Sequence, residues 1–177
     1  MRALVAYGTR YGSTKGIAER IGKVLKEKKV DVMVEEAEKV SAEDIWSHDM
    51  IIIGSAIIMG KWLKQAEKLI ASNEAALAGK KTAVFVCCMD AADPTRVADA
   101  KINYLDNVLS RYPSLAPLST GLFAGVVDFN AYGFIIKKIM KSEVVKRGLA
   151  DSDMKMVSDL RDWNAIETWT ESLLEHS

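Results

Sequence analysis

The chain has 177 residues, with 24 lysines and arginines against 24 aspartates and glutamates, and 49% of its residues are hydrophobic. This length fits one domain spanning residues 1–177, large enough to bury a core without a disulfide or metal staple. The balanced charge provides no basic surface for the protein as a whole, so we expect no nucleic-acid partner.

The two cysteines, Cys87 and Cys88, are adjacent and lie in the apolar run 84–89. Adjacent cysteines rarely form a disulfide because the bridge strains the peptide between them, so we expect reduced thiols in a strand. The apolar run at 3–7 is too short for a secretory signal, and no run approaches the ~18 residues of a membrane-spanning helix. We therefore expect a cytoplasmic protein.

Short apolar runs alternate with longer amphipathic stretches along the chain. The short runs predict strands over 2–7, 30–36, 50–54, 82–88 and 119–126. Apolar residues at helical spacing predict helices over 14–29, 61–77, 94–111 and near 162–175. Strands separated by helices are typical of a parallel sheet that is covered on both faces. The sequence therefore predicts an α/β fold with five strands in a doubly wound sheet.

The loop after the first strand is rich in hydroxyl groups and leads directly into a helix; its residues are Thr9-Arg10-Tyr11-Gly12-Ser13-Thr14. Ligands of open parallel sheets bind at the carboxyl ends of strands, and free N–H groups at a helix N-terminus favour phosphate. The spacing matches neither G-x-x-x-x-G-K-[ST] nor G-x-G-x-x-G. A plain helix cap by Ser13 or Thr14 is the alternative interpretation.

Residues 9–14 resemble the T-x-[TS]-G-x-T phosphate loop of the flavodoxins. The resemblance implies a three-layer α/β/α sandwich whose five parallel strands have the order 2-1-3-4-5, with FMN as the cofactor. It also implies phosphate contacts from Thr9, Arg10, Gly12, Ser13 and Thr14. Tyr11 stands at the usual Thr or Ser position and would contribute its backbone N–H.

Flavodoxins hold the flavin ring between the loops after the third and fourth strands, which correspond here to residues 54–60 and 88–93. The resemblance implies ring contacts from Ser55, Ala56, Ile57, Ile58, Met59, Gly60, Cys88, Met89, Asp90 and Ala91. Ordinary strand–helix turns are the alternative for both segments. Trp62 is equally compatible with a position beside the flavin ring and with the apolar face of the following helix.

Motifs in the last third of the chain are similar to those of flavodoxin-type, menaquinone-dependent protoporphyrinogen IX oxidases. They are Phe123-Ala124-Gly125, a Tyr132…Lys141 stretch and Asp162-Trp163, with Arg161 where that family carries Thr. This resemblance implies a redox enzyme that oxidises protoporphyrinogen IX with a quinone as acceptor.

Residues 130–147 are both basic and amphipathic. Such a stretch suits peripheral contact with a membrane surface, and it also suits an ordinary packed helix with lysines reaching into solvent. The sequence leaves open this membrane association and a homodimer.

Three functions are compatible with this sequence. An FMN protein needs no acid–base residues of its own for electron transfer, because the cofactor carries the chemistry. It would serve either as an oxidoreductase or as an electron carrier for a reductase or another redox partner protein. The third function is a cofactor-free binding module of the same fold. The sequence shows no catalytic triad or metal cluster, so catalytic residues are unassigned.

Overall fold

The computed structural model of the protein describes residues 1–131, 138, 141, 142, 145 and 157–175. The five main strands of its parallel sheet are β1 (Arg2–Gly8), β2 (Asp31–Glu36), β3 (Met50–Ile58), β5 (Lys81–Cys87) and β6 (Ser119–Phe123). They have the order β2-β1-β3-β5-β6, and the two-residue strand β4 (Lys61–Trp62) pairs with β3. Counted over the main strands alone, this is the predicted order 2-1-3-4-5.

Helices cover both faces of the sheet. One face packs against α1 (Ser13–Glu27) and α7 (Trp163–Glu175), through side chains such as Ile17, Ile21 and Ile166. The other face packs against elements that include α2 (Ala42–Ser47), α3 (Lys64–Ser72) and α4 (Glu74–Leu77). Successive strand residues point to opposite faces, so a sheet buried on both sides requires the continuous apolar runs seen in the sequence.

Strand β3 extends four residues beyond the predicted end at residue 54. Ile57 pairs with Trp62 and Ile58 with Lys61, so β3 and β4 form a hairpin whose turn is Met59–Gly60. Both turn residues have positive φ, 50° and 75°, as a type I′ turn requires. The prediction of a loop over residues 55–58 is therefore wrong. The helix predicted from residue 61 begins instead at Lys64.

The predicted helix over 94–111 consists of three consecutive segments, α5 (Val97–Lys101), a π-helical segment (Ile102–Asp106) and α6 (Asn107–Leu109). The predicted strand over 119–126 ends at Phe123, and the next strand, β7 (Val126–Asp128), leaves the sheet. It pairs antiparallel with β8 (Val157–Asp159), and we call this pair the β7–β8 ribbon. Gly125 lies between β6 and β7, and a Cβ there would lie 2.9 Å from Cys87 Sγ.

Helix α2 did not emerge from the apolar pattern because it is only six residues long. Its local signal is a capping box, in which the Ser41 hydroxyl accepts from the Asp44 N–H and the Asp44 carboxylate accepts from the Ser41 N–H. The basic stretch predicted over 130–147 lies largely outside the described residues. Within it, Lys138, Lys141 and Val145 are exposed.

Candidate functional site

The carboxyl ends of three neighbouring strands meet at one edge of the sheet. Gly8 at the end of β1 pairs with Ser55 of β3, and Ala56 pairs with Cys87 at the end of β5. The three segments that the sequence singled out, 9–14, 55–60 and 88–91, therefore begin side by side. This edge is where open α/β sheets bind ligands.

The first segment leaves the N-terminus of helix α1 open. Gly12 precedes the helix with φ 89°, and no side chain caps the helix. The Gly12 N–H donates a 3.0 Å hydrogen bond to Thr9 Oγ1, which shapes the loop itself. The alternative that Ser13 or Thr14 caps the helix is thus wrong. Uncapped N–H groups and the positive end of the helix dipole favour an anion here.

Thr14 carries an unsatisfied hydroxyl at this helix end. The residue is fully buried, and its Oγ1 makes no hydrogen bond within the described part of the chain. Burial raises the pKa of the Cys87 thiol, which lies near this hydroxyl, to about 12. A buried hydroxyl without a partner costs free energy, and an oxygen of a bound anion would satisfy it. The residues at this loop therefore fit a phosphate group.

Two cationic side chains lie near the loop. Arg10 is exposed, and its guanidinium carbon lies 5.7 Å from the Tyr11 ring centroid. Arg161 was not among the predicted site residues, although it takes the place of Thr in the motif that ends at Trp163. Its Nη1 lies only 2.5 Å from where a Cβ on Gly16 would be, in the first turns of α1. Arg161 is therefore packed against the helix that begins at the loop.

The second segment is the β3–β4 hairpin. Ser55 is fully buried, and its Oγ accepts a 3.0 Å hydrogen bond from the Leu63 N–H, which fastens the hairpin to the start of α3. Ala56, Ile57 and Ile58 are half-buried, whereas Gly60 is exposed. Met59 is 95% exposed at the tip. The hairpin thus presents an apolar side chain and an accessible backbone at the edge of the site.

The third segment follows β5. Cys88 and Asp90 are buried, and Met89 and Ala91 are half-buried in a 3₁₀ turn over Met89–Ala92. The Cys88 N–H donates to the Phe123 carbonyl at 3.0 Å, which anchors the turn to the end of β6. The turn is therefore held in place on the sheet.

Trp62 lies in the core and belongs to the cluster on the α3 face of the sheet. Its indole N–H donates to the Tyr104 carbonyl at 2.6 Å. Of the two interpretations of Trp62, the structure supports core packing. The two segments expected to hold the flavin ring, 55–60 and 88–91, contain no aromatic residue.

Comparison with known proteins decides the family. Residues 4–153 match the sequence model of the flavodoxin domain. The chain belongs to the flavodoxin family. Members of the flavodoxin family bind FMN. No curated protein sequence matches the chain significantly.

Solved flavodoxin structures share the fold across essentially the whole chain. Flavodoxin from Streptococcus pneumoniae TIGR4 is 16% identical, with a TM-score of 0.60 over 100% of both chains. Flavodoxin 2 from Bacillus cereus is 22% identical, with a TM-score of 0.61 over 100% of both chains. Flavodoxin 1 from the same organism is 17% identical, with a TM-score of 0.58 over 100% of this chain and 99% of that chain.

Membership of the flavodoxin family places the protein among FMN-binding redox proteins that transfer electrons to partners. Within the described residues, no helix has the length and apolar character needed to cross a membrane. The relationship with protoporphyrinogen oxidases, which the sequence motifs imply, has no counterpart among these matches.

Proposed function

We propose that this chain is a single-domain electron carrier that holds FMN at the carboxyl ends of β1, β3 and β5. The observation that carries the proposal is the open N-terminus of α1 beside the unsatisfied hydroxyl of Thr14. A phosphate at this position would gain the helix N–H groups and satisfy the buried hydroxyl. In this proposal residues 9–14 bind the phosphate of FMN.

The flavin ring would lie between the second and third segments. The residues assigned to it are Ser55, Ala56, Ile57, Ile58, Met59, Gly60, Cys88, Met89, Asp90 and Ala91. Bound FMN supplies the electron-accepting chemistry, while the chain binds it, orients it and limits the access of water. The role of Ser55 is indirect, because its hydroxyl is already used to hold the hairpin against Leu63.

We propose the oxidation of protoporphyrinogen IX with a quinone acceptor as the second function. Its support is the resemblance of the motifs Phe123-Ala124-Gly125 and Asp162-Trp163 to those of the protoporphyrinogen oxidases. The structure also brings these two motifs close together. The Leu160 N–H donates to the Gly125 carbonyl at 3.0 Å, and Arg161 packs against α1. Peripheral membrane contact through residues 130–147 and a homodimer belong to this second proposal.

Titration of cofactor-free protein with FMN tests the first proposal. We expect one FMN per chain, a flavin absorption spectrum, and the mass of FMN in the material released by acid. Riboflavin is the matched control, because it lacks only the phosphate and should bind much more weakly. Equal affinity for FMN and riboflavin would contradict the phosphate assignment, and absence of flavin binding would contradict the function.

Turnover assays distinguish the two functions. An electron carrier should be reduced rapidly by a flavodoxin reductase and should not oxidise protoporphyrinogen IX with a menaquinone analogue. Sustained porphyrin formation that depends on the quinone would support the second function instead. The same assay with FMN-free protein gives the background rate.

A further inference from the structure

The hairpin and the turn after β5 are connected through one residue outside both, Tyr104. Its hydroxyl donates a 2.9 Å hydrogen bond to Asp90 Oδ2 in the turn. Its carbonyl oxygen accepts a 2.6 Å hydrogen bond from the indole N–H of Trp62, two residues after the hairpin tip at Gly60. The two segments already start side by side in the sheet, and Tyr104 adds a second link between them.

Tyr104 belongs to the π-helical segment Ile102–Asp106. Turns of this kind are rare, and they occur frequently at functional sites. Here the segment separates α5 from α6, and Tyr104 within it makes polar contacts with Asp90 in the turn after β5 and with Trp62 in the β3–β4 hairpin. The irregular turn therefore coincides with the residue that links the site segments.

Asp90 is a buried carboxylate whose contacts include Tyr104 and Arg96. It is 9% exposed, it accepts the hydrogen bond from Tyr104, and its Oδ1 lies 3.3 Å from Arg96 Nε. Burial and the contact with Asp90 raise the pKa of Tyr104 to about 12, so the hydroxyl stays protonated at neutral pH. A buried charge that loses a partner is costly and interacts more strongly with other charges nearby.

We propose that Tyr104 is a positioning residue for the cofactor, holding Asp90 and the hairpin at a fixed separation and so setting FMN affinity and reduction potential. The inference rests on the proposed function. Reduction adds negative charge to a flavin, so the Asp90 carboxylate opposes it. The hydrogen bond from Tyr104 and the charge of Arg96 offset this effect.

The first test compares Tyr104→Phe with Tyr112→Phe in the FMN-loaded protein. Tyr104→Phe removes the hydroxyl but keeps the backbone carbonyl that Trp62 uses. Tyr112 is a matched control because it is also half-buried against the α3-face core. We expect a roughly three- to tenfold increase in the Kd for FMN and a more negative reduction potential for Tyr104→Phe. Tyr112→Phe should change neither quantity.

The second test is Asp90→Asn, which removes the charge and retains an oxygen that accepts from Tyr104. We expect a less negative reduction potential, opposite in sign to that of Tyr104→Phe. Thermal unfolding of each variant establishes that it is folded. Shifts of the reduction potential in the same direction in both variants would overturn the inference. That result is expected if each substitution only loosens the site.

FMN binding by the wild-type protein distinguishes a failure of this inference from a failure of the proposed function. If it binds FMN and Tyr104→Phe behaves like Tyr112→Phe, the positioning role is wrong and the function stands. If the wild-type protein binds no FMN, the proposed function fails and the inference fails with it.

Discussion

The Ser13 hydroxyl accepts a 3.0 Å hydrogen bond from the backbone N–H of Val126, 113 residues later in the chain. Ser13 is the first residue of α1, and Val126 begins β7. The contact joins the loop at residues 9–14 to the β7–β8 ribbon, and it uses the Ser13 oxygen as the acceptor. The loop is therefore held by a hydrogen bond from a part of the chain that is distant in sequence.

Ser13→Ala tests this contact. The Val126 N–H would lose its acceptor, so we expect the free energy of unfolding of the FMN-free protein to fall by about 1 kcal/mol. The affinity for FMN should fall as well, because one hydroxyl donor disappears from the loop. Urea unfolding and FMN titration measure the two effects. Ser110→Ala is the control, since that hydroxyl donates only to the Asn107 carbonyl; equal behaviour of the two variants would contradict the prediction.

Two substitutions at Gly12 separate the effect of charge on FMN binding from the effect of backbone geometry. Its φ is 89°, and a Cβ there would meet nothing within 4 Å. Asn and Asp tolerate this conformation similarly, and they differ in charge. We expect Gly12→Asp to weaken FMN binding at least roughly tenfold relative to Gly12→Asn, because the carboxylate repels the phosphate. Equal Kd values for the two variants would show that the FMN phosphate does not lie near residue 12.

Gly16 should be coupled energetically to Arg161. Alanine in place of a helical glycine usually stabilises by about 1 kcal/mol. In this chain the added Cβ would displace Arg161 Nη1, so we expect Gly16→Ala to give no gain. In an Arg161→Ala background the gain should reappear, with a coupling of about 1 kcal/mol in urea unfolding. Gly22→Ala in the same helix is the control, because its Cβ would meet Val34 and its cost should not depend on Arg161.

The ion pair between Arg161 and Asp159 predicts a pH dependence. Hydrogen bonds from Arg161, of 2.8 Å to Oδ1 and 2.6 Å to Oδ2, lower the pKa of Asp159. A carboxyl pKa that is lower in the folded state stabilises above the unfolded value, ~3.9, and this contribution is lost as the pH falls through the folded value. Arg161→Gln should therefore be less stable than wild type at pH 7, by less than about 1 kcal/mol since Asp159 is partly exposed.

Urea unfolding of wild type and Arg161→Gln between pH 7 and pH 3 measures this dependence. The difference in the free energy of unfolding should shrink as the solution becomes more acidic. A difference that grows toward low pH would show that Asp159 is not the titrating group behind it.

Met59 has an unfavourable backbone conformation at the hairpin tip, with φ 50°. Met59→Asn should stabilise the FMN-free protein by about 0.5–1 kcal/mol, because Asn suits the first position of a type I′ turn. It should also raise the Kd for FMN by removing an apolar side chain from the ring site. Lys29→Asn, at another positive φ of 64°, should give a gain in stability without a change in Kd. Unchanged FMN affinity in Met59→Asn would show that Met59 does not contact the flavin ring.

Much of the fold followed from the sequence because its signals are local or periodic. The apolar runs at 50–54 and 82–88 predicted buried strands, and the order of the strands followed from the family that the loop at 9–14 resembles. The hairpin at Met59–Gly60 was missed because its turn lacks the Asn-Gly or Asp-Gly pair that usually marks a type I′ turn. Helix α2 was missed because six residues give too few turns for an apolar pattern to emerge.

The sequence by itself determined the α/β class and the three segments, 9–14, 55–60 and 88–91, that begin at one edge of the sheet. These features depend on residues close together in the chain, where spacing limits the backbone to few conformations. The tertiary structure alone decided the contacts of Ser13 with Val126, of Arg161 with Gly16 and of Tyr104 with Asp90. Such contacts join separate elements, and their geometry depends on how the helices and the ribbon pack against the sheet, which no local pattern encodes.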